Sequence, residues 1–525
     1  MKRLLKLLAG TGYLPGILIV VCGMAVYSNS FDVPFTFDDN ANIVNNPLIK
    51  DMRYFLEPTL REHIFANPNV LKIFNTRLVG YLSFALNYKL NGLDVAGYHF
   101  VNIAIHLITG LLVYRLVILT CKTPLFLNAD YSSPLSRRSS RLVASFVALL
   151  FTVHPIETQA VTYIVQRFAS LATMWYILAL MLYAESRLAT TKTRRITTYV
   201  AALLSALLAM KTKEISFTLP LVVVLYEGFF FLGKAKQRLA FTLPFILLLP
   251  VIPFSLAASQ KILGTAGGFD ALMQLPGEKL LTWKPYLYTQ FRVVLTYVRL
   301  LFFPIGQNLD YDYPIYSSFT DPRVFSSFLI HCSMIMGSIY LYLQSRMPLT
   351  EHRQWLRMTS FGIFWFYVTL CVESSIVPIE DVIFEHRVYL PSIGFFLAAV
   401  SGLEALKCRL AHGKAITEKG IAVALSIVII LFSLTAYVRN NVWRNEITLW
   451  EDVVQKSPNK VRPHNNLGSL YHQHDRYADA LREYQAVLQL KPDHIPTLYN
   501  IRVLCSDLRN SSQLEIPAIC ATIGR

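Results

Sequence analysis

The sequence predicts an all-α, polytopic membrane protein with about eleven transmembrane helices and a small helical module at its carboxyl end. Of its 525 residues, 54% are hydrophobic and only 16% are charged, and the mean hydropathy is +0.42. Apolar segments that approach the roughly 20 residues needed to cross a bilayer recur along most of the chain. We expect spans at residues 12–30, 97–120, 142–154, 168–186, 197–211, 214–232, 240–258, 324–345, 359–372, 388–405 and 420–438.

The distribution of charge predicts which side of the membrane each connection faces. The formal net charge of +16 lies mainly in short connections, and no long basic run interleaved with aromatic residues indicates nucleic-acid binding. Short loops rich in Lys and Arg mark the cytoplasmic side, whereas loop 31–96 is nearly balanced in charge and is therefore expected outside. Segment 284–304 carries three basic residues, so we expect it to lie at the external interface or within the bundle. The chain then leaves the membrane externally after residue 438.

The carboxyl-terminal region has the pattern of a repeat module. Residues 461–494 match one full tetratricopeptide repeat, in which small Gly468 and Ala480 let two antiparallel helices approach. We therefore expect a membrane domain over 1–440 and a repeat module over 441–525. Its role is open between packing or assembly and the capture of an acceptor polypeptide. The module also holds two cysteines that an oxidising compartment would allow to pair, Cys505 and Cys520.

An acidic pair, Asp38 and Asp39, follows the first predicted span. Carboxylates are costly to keep near lipid, so a pair at the water-facing mouth of a membrane protein indicates catalysis or metal binding. The structural alternative is a solvated turn or a helix cap, because Asp and Asn favour both.

A second polar cluster begins where Pro155 breaks a predicted helix. Backbone exposed at membrane depth is tolerated only where it is buried in protein or lines a cavity. Arg167, next to Gln166, can clamp a phosphate, since a guanidinium binds phosphate oxygens in a bidentate way. His154 and Glu157 have a spacing found in metal sites, although two ligands alone are a weak signal. The alternative is a capped helix start with a snorkelling arginine.

Two further polar stretches fall on the same predicted side. Lys211, Lys213 and Glu214 interrupt two apolar runs, which suits either contact with an anionic lipid phosphate or an ion-paired hairpin. The densest polar stretch lies at 373–392, where Arg387 is a candidate phosphate ligand. Its other candidate substrate-binding residues are Glu373 and Glu385, which can hold sugar hydroxyls or orient the arginine, and His386. A mutually neutralised ion network is the alternative.

Several stretches together resemble the transmembrane and tetratricopeptide-repeat O-mannosyltransferases and their bacterial relatives, which belong to the GT-C superfamily of polytopic glycosyltransferases. They are FTFDDNANIVNNPLI, RLVGYLSFALNYKLNGLDVAGYHFVNIAIH, VHPIETQAVTYIVQR, KTKEISFTLPLVVVLYE and FEHRVYLPS, followed by the tetratricopeptide tail. The resemblance covers nearly the whole chain in consistent order. The tail departs from the pattern, because eukaryotic members carry long repeat arrays and this chain has one full repeat.

The resemblance implies an inverting transfer of a sugar from a polyprenyl-phosphate donor to a hydroxyl of a protein or glycan acceptor on the external face. It implies that Asp38 is the general base and that Asp39 supports it or helps to bind a metal. It also implies that Arg167 and Arg387 lie near the donor phosphate. The resemblance identifies no certain cofactor, and the requirement for a divalent metal ion, with Asp39 as a candidate ligand, is left open. The external face is then the periplasmic side of a bacterial inner membrane, or the endoplasmic-reticulum lumen in a eukaryote.

Two other classes of protein remain open at this stage. A transporter or flippase of lipid-linked saccharides also needs intramembrane charges and phosphate-binding arginines, but it does not need an external base. A non-catalytic membrane scaffold would use the membrane domain only to present the repeat module. Soluble nucleotide chemistry and thiol redox chemistry are disfavoured, because the sequence has no Walker loop, dinucleotide fingerprint, nucleophile elbow or Cys-x-x-Cys pair.

Overall fold

The computed structural model describes most of the chain, and the described part is helical. The described residues are 13–57, 60, 73–127, 134–255, 281–347, 353–375, 377–379, 381–410, 418–510 and 520. They form α-helices joined by turns and by short 3-10 and π segments, and none of them lies in a β-strand. Parts of loop 31–96 and of spans 12–30 and 240–258 lie outside the described residues.

The longer helices of the described residues are numbered here in chain order. The first group comprises α1 (Leu14–Tyr27), α2 (Leu78–Asn91), α3 (Val95–Thr120), α4 (Pro134–Val153), α5 (Arg167–Leu188), α6 (Lys192–Met210), α7 (Leu219–Phe230), α8 (Ala235–Ile246), α9 (Trp283–Phe302), α10 (Pro322–Gln344), α11 (Arg353–Leu370), α12 (Tyr389–Leu410) and α13 (Glu418–Val442). The second group comprises α14 (Glu446–Lys456), α15 (Val461–Gln473), α16 (Tyr477–Leu490) and α17 (Ile495–Asn510).

Each predicted span coincides with a helix, and the all-α, multi-pass membrane fold class is confirmed. Six helices among the described residues have the length and composition of a membrane crossing: Val95–Thr120, Ile164–Leu188, Ala235–Ser255, Pro322–Gln344, Glu385–Arg409 and Glu418–Val442. A seventh is added if Arg137–Val153 and Pro155–Val161, which are bent by 48°, form one span. The expected eleven crossings exceed this count because helices such as α1, with 14 residues, are short.

Small residues allow a close helix approach in the bundle, between α11 and α12. A Cβ atom built on Gly362 would lie 2.5 Å from the Gly394 carbonyl oxygen, and one built on Gly394 would lie 2.7 Å from the Gly362 carbonyl oxygen. The two backbones therefore touch at these glycines, which is the usual role of small residues between membrane helices.

Helix α9 packs within the bundle, which is one of the two placements expected for segment 284–304. The Tyr286 hydroxyl donates to the Glu373 carbonyl at 2.6 Å. The Gln290 side chain donates to the Val382 carbonyl at 2.9 Å. These polar contacts tie α9 to the polar segment that precedes α12, and α9 is not among the described helices that meet the criteria for a crossing.

The chain divides into two compact units, and the second combines the carboxyl-terminal helices with a short internal segment. The first unit contains residues 1–304 and 315–440, and the second contains residues 305–314 and 441–525. The division thus adds residues 305–314 to the module expected over 441–525. In this second unit, α15 and α16 pair as the repeat pattern predicts, and a Cβ on Gly468 would lie 2.6 Å from the Tyr484 ring. A disulfide, which the sequence alone left undecided, joins Cys505 and Cys520.

Within the second unit, a buried acid fastens the internal segment to the repeat helices. Asp310 is 1% exposed and accepts hydrogen bonds from Lys460 at 2.5 Å and from Arg462 at 2.6 Å. The Ser457 hydroxyl donates to the Asp310 carbonyl at 2.8 Å. Because a buried charge is stable only when it is paired and hydrogen-bonded, these contacts make residues 305–314 part of the repeat module's fold.

Candidate active site

Asp38 lies in a strained turn between α1 and α2. Phe37, directly before it, has φ +50°, a left-handed conformation that bulky residues rarely adopt. The Asp38 amide donates to the Tyr163 hydroxyl at 2.8 Å, and the Asp38 carbonyl accepts from the Asn42 side chain at 2.9 Å. Asp38 itself is half-buried. The backbone of the residue is therefore held in place, while the residue stays partly accessible.

Asp39 has different surroundings from its neighbour. It is 0% exposed. One carboxylate oxygen accepts from the Thr36 amide at 3.0 Å, and the other accepts from the Val165 amide at 2.6 Å. Both oxygens are thus engaged by backbone donors, which offset the cost of burying the charge. Asp39 ties the acidic turn to the segment that leads into α5.

The polar break between α4 and α5 is built by local capping. His154 Nδ1 accepts from the Ile156 amide at 3.1 Å, and its Nε2 donates to the Leu301 carbonyl at 3.1 Å. Both ring nitrogens are therefore used in starting and fixing the short 3-10 helix Pro155–Glu157. Glu157 is fully buried in the same break, and its carboxylate oxygens have no hydrogen-bond partner among the described residues. Substrate binding by His154 and Glu157 stays a prediction.

Arg167, expected near the donor phosphate, is occupied by protein acceptors. It is 0% exposed. Its guanidinium donates to the side chains of Asn102 at 2.6 Å and Asn87 at 2.9 Å, and to the Tyr98 carbonyl at 3.0 Å. This geometry favours a structural role, in which Arg167 joins α5 to α2 and α3. Its neighbour Gln166 is half-buried, and phosphate binding by the two residues stays a prediction.

Two ion pairs hold charged residues from three distant stretches near the start of α2. Arg77 forms a bidentate pair with Glu214, with nitrogen–oxygen distances of 3.0 and 2.9 Å. Lys213 Nζ lies 2.9 Å from Glu373 Oε1, and both side chains are largely buried. Burial lowers the pKa of Lys213, and the negative charge of Glu373 opposes this effect.

Lys211 is attached to the same helix through its backbone. Its carbonyl accepts from the Val79 amide, in the first turn of α2, at 2.9 Å. Its half-buried side chain donates to the Ser255 hydroxyl at 2.5 Å. Contact of Lys211 with a lipid phosphate stays a prediction.

Arg387 is a buried cation whose hydrogen-bonding capacity is not filled. It is 5% exposed, and its Nη2 donates to the Asp381 carbonyl at 2.7 Å. Its Nη1 has no hydrogen-bond partner among the described residues. Unlike Arg77 and Lys213, it forms no ion pair with a carboxylate of the described part of the chain. A buried guanidinium with an unfilled donor and no such counter-ion is suited to receive an anion.

His386 and Glu385 complete the buried turn that carries Arg387. The His386 amide donates to the Gln159 side chain at 2.7 Å, and its ring stacks on Phe384 with centroids 5.1 Å apart. Within the described part of the chain, His386 Nδ1 also has no hydrogen-bond partner. Glu385 is 2% exposed. The turn therefore carries two polar atoms with remaining capacity, Arg387 Nη1 and His386 Nδ1.

A series of contacts joins the acidic turn to the ion pairs. Asn42, which bonds the Asp38 carbonyl, accepts from the Tyr81 hydroxyl at 2.8 Å. The Tyr81 amide in turn donates to the Arg77 carbonyl at 3.0 Å, one helical turn earlier. Arg77 is paired with Glu214, and the neighbouring Lys213 is paired with Glu373. The structure thus connects the sequence motifs at 38, 211–214 and 373 in one polar network.

Sequence reasoning missed several residues of this network. Arg77 was not among the candidate residues, and its ion pair with Glu214 joins residues 137 positions apart. Tyr81, Tyr163 and Gln159 were also missed, because the polar contact of each is made with a segment distant in the sequence. The only available signal was that all these residues lie within the stretches that carry the family resemblance.

A divalent metal ion finds no matching ligand set among the described side chains. They contain no group of three or more His, Cys, Asp and Glu residues arranged to hold a metal ion. Asp39, the candidate metal ligand, has both oxygens engaged by amides. The described residues therefore do not fit a resident divalent metal ion.

Curated proteins similar to this chain align with it over most of its length. The protein O-mannosyl-transferase Tmtc3 of Drosophila melanogaster is 26% identical over 95% of the chain. The protein O-mannosyl-transferase F38B6.6 of Caenorhabditis elegans is 26% identical over 91% of it, and the protein O-mannosyl-transferase TMTC1 of Homo sapiens is 27% identical over 92%. These alignments cover 57%, 63% and 55% of the three relatives, so the chain spans little more than half of their length.

No family model matches the chain, and no solved structure matches it. Because the alignment with the Drosophila melanogaster relative reaches 95% of the chain, it includes the membrane bundle together with repeat-module sequence. The similarity therefore confirms the resemblance carried by the sequence motifs: the chain is similar, over most of its length, to protein O-mannosyl-transferases.

Proposed function

We propose that this protein is a membrane glycosyltransferase that moves a sugar from a polyprenyl-phosphate donor to a serine or threonine hydroxyl of a protein on the external face. The names of its relatives make mannose the first sugar to test. The observation that carries the proposal is the polar network that extends from the partly accessible Asp38, together with a buried Arg387 whose Nη1 has no partner in the described part of the chain.

In this proposal Asp38 is the general base. Its carboxylate takes the proton of the acceptor hydroxyl as the hydroxyl oxygen attacks the anomeric carbon. The bond between that carbon and the phosphate oxygen breaks, and the polyprenyl phosphate leaves with the electron pair. A single displacement of this kind inverts the anomeric configuration. The strained Phe37 turn supports the assignment, since such strain persists where the surrounding contacts fix a functional conformation.

The donor phosphate is proposed to bind at Arg387. Negative charge develops on the phosphate oxygens as the bond breaks, and preorganised cationic donors stabilise that charge most strongly in a buried site. Arg387 Nη1 and His386 Nδ1 are two nitrogen atoms that form no hydrogen bond with the described residues. Lys213 adds a positive charge, which is paired with Glu373.

Asp39 and Arg167 are proposed as positioning residues. Their polar groups are engaged by the protein, Asp39 by two backbone amides and Arg167 by side-chain and backbone oxygens. Both therefore hold the framework around Asp38 rather than touch the reacting atoms.

The experiment that tests this proposal uses the purified full chain in liposomes, with a polyprenyl-phosphate mannose and a serine- and threonine-containing acceptor peptide. We expect Asp38→Asn to lower kcat by about 100-fold or more, within the range contributed by a general base. The control is Asp51→Asn, which removes a partly exposed acid of the same loop that pairs locally with Arg53. Activity of Asp38→Asn within a factor of about two of the wild type would rule out the base assignment.

Intact-mass analysis of glycoproteins in a deletion strain provides the matching test in cells. We expect the wild-type chain to restore the missing glycoforms and Asp38→Asn not to restore them. A flippase of lipid-linked saccharides would work equally well with either form, so equal restoration would favour transport over transfer. In this proposal the external face is the periplasmic side of a bacterial inner membrane, or the endoplasmic-reticulum lumen if the strain is eukaryotic.

A further inference from the structure

A large groove lies on the membrane bundle, at the end opposite the candidate active site. It has a volume of about 810 Å³ and lies between α1, α4 and α13. The start of α1 lines it, at Leu14 and Leu18, whereas the end of α1 leads to Asp38. The start of α4 lines it too, whereas the end of α4 leads to the polar break at His154. The groove therefore shares no residue with the site proposed for glycosyl transfer.

The wall of this groove is apolar in its chemistry. Most lining side chains are hydrocarbon, including Leu142, Leu149 and Ile430. The two serines that line it, Ser145 and Ser426, each donate their hydroxyl to the carbonyl four residues earlier at 2.7 Å. A ligand that fills the groove thus meets a hydrocarbon-like surface along most of its length.

One end of the groove is strongly cationic. Arg137, Arg138 and Arg141 all line it and are exposed. Arg138 pairs with Glu418 at 2.7 Å. Arg137 and Arg141 form no ion pair with any carboxylate of the described residues. We name this feature, with its lining of α1, α4 and α13, the arginine groove.

The dimensions of the arginine groove match one lipid in one leaflet. Arg137 and Leu149 line its two ends on α4, and the helical segment between them is about 18 Å long at 1.5 Å per residue. Half of the bilayer hydrocarbon is about 15 Å thick. The groove therefore extends from headgroup depth to about the middle of the membrane, and its volume falls within the roughly 300–1,000 Å³ of small-molecule sites.

We propose that the arginine groove binds one anionic glycerophospholipid, with its headgroup phosphate at Arg137 and Arg141 and an acyl chain along α4 and α13. Charge complementarity selects this occupant. Two guanidinium groups without an ion pair in the described part of the chain favour a net negative headgroup, and the apolar wall favours acyl chains over a polar molecule. Because short basic connections mark the cytoplasmic side, the lipid belongs to the cytoplasmic leaflet.

The test is a lipid titration of the detergent-purified full chain, followed by native mass spectrometry. Dioleoyl phosphatidylglycerol and dioleoyl phosphatidylcholine have the same chains and differ in headgroup charge. We expect the wild type to bind one phosphatidylglycerol about tenfold or more tightly than phosphatidylcholine, since each basic residue near the headgroups contributes a several-fold preference. The double variant Arg137→Gln/Arg141→Gln should lose this preference.

A matched control removes two charges elsewhere on the same predicted side of the membrane. Lys192→Gln/Lys236→Gln changes exposed residues at the starts of α6 and α8 that do not line the groove, and it should leave the preference intact. Ser426→Trp, at an exposed lining position, should block both lipids by filling the groove without altering charge. An unchanged melting temperature shows that each variant has folded.

Three results would overturn the proposal. The first is equal binding of the two lipids by the wild type, and the second is an unaltered preference in Arg137→Gln/Arg141→Gln. The third is a dimeric wild type that the double variant makes monomeric, which would assign the groove to a second copy of the chain. None of these results bears on glycosyl transfer, because Asp38 and Arg387 lie outside the groove.

Discussion

Asp38 and Asp39 are adjacent in the sequence, yet their surroundings suit them to different tasks. Asp39 is buried, and both of its carboxylate oxygens accept hydrogen bonds from backbone amides, so it holds the turn in place. Asp38 is half-buried and has its backbone fixed by Tyr163 and Asn42. The different roles of the two residues could not be predicted from the sequence alone. Their different surroundings depend on contacts with residues more than a hundred positions away.

Arg387 gives a prediction that separates donor binding from folding. Arg387→Gln removes the cation proposed to face the donor phosphate, and a hydrogen bond to a charged group contributes about 1.5–3 kcal/mol. We therefore expect kcat/KM for the polyprenyl-phosphate donor to fall by about 10- to 100-fold. Steady-state kinetics in liposomes measure the change.

The control for this substitution is Arg409→Gln, an exposed arginine at the far end of the helix that follows Arg387. It should leave kcat/KM unchanged. If Arg387→Gln leaves the donor's kcat/KM unchanged and Asp38→Asn still abolishes transfer, the phosphate is held elsewhere, and His386 and Lys213 become the next candidates.

His464 should make the stability of the repeat module depend on pH. Its Nδ1 lies 2.6 Å from Glu483, and its Nε2 lies 2.9 Å from the Pro458 carbonyl oxygen. The hydrogen bond to the Glu483 carboxylate raises the pKa of His464 above its usual 6.5. The protonated form therefore stabilises the module fully below about pH 6.5, and this contribution is lost as pH rises through the raised value.

Hydrogen exchange of α15 and α16 in the full chain measures this effect. We expect faster exchange at pH 8 than at pH 6, after correction for the intrinsic rate, and no such difference in His464→Gln. The control is His472→Gln, which alters a pair with the more exposed Asp507. Equal pH dependence in His464→Gln and the wild type would contradict the assignment.

Helices α11 and α12 give a prediction at the level of paired elements. Gly362→Ala would place a methyl group 2.5 Å from the Gly394 carbonyl oxygen, where backbone atoms cannot move aside easily. We expect a loss of about 1–3 kcal/mol, the usual cost of overpacking, measured as a lower melting temperature in detergent.

The matched control lies on a neighbouring helix. A Cβ atom on Gly337 of α10 meets nothing within 4 Å. Gly337→Ala should therefore stabilise the protein slightly, by about 0.5–1 kcal/mol, because alanine is the better helix former. A lower melting temperature for both variants would mean that the close approach of α11 and α12 is not the cause.

The helices were largely predictable from sequence, because a long apolar run is a local signal. The break at Pro155 was predictable for the same reason, and the chain bends there by 48°. The number of crossings is a weaker inference, since shorter apolar runs such as α1 and α7 form helices without reaching the length of a span. The hydrogen bonds of the Arg167 guanidinium could not be predicted from the sequence, because its acceptors Asn102 and Asn87 lie 65 and 80 positions away.

The topology of the whole chain can be tested by labelling. Loop 31–96 is expected outside and the short basic connections inside. In a background with the free cysteines changed to serine, Lys89→Cys should react with a membrane-impermeant maleimide in intact cells. Lys192→Cys should react only after permeabilisation. Both positions are exposed, so the reverse pattern would invert the proposed orientation.

The internal segment held by Asp310 has a consequence for exchanging parts between relatives. The second compact unit, which contains the repeat helices, is built from two parts of the chain, residues 305–314 and 441–525. A chimera that exchanges only the carboxyl-terminal stretch would remove Lys460 and Arg462, the two cations that pair with Asp310. The buried Asp310 carboxylate would then face residues of the other protein without its own counter-ions. Grafts that exchange this module between relatives must therefore carry the internal piece with them, so that the acid and its two cations are inherited together.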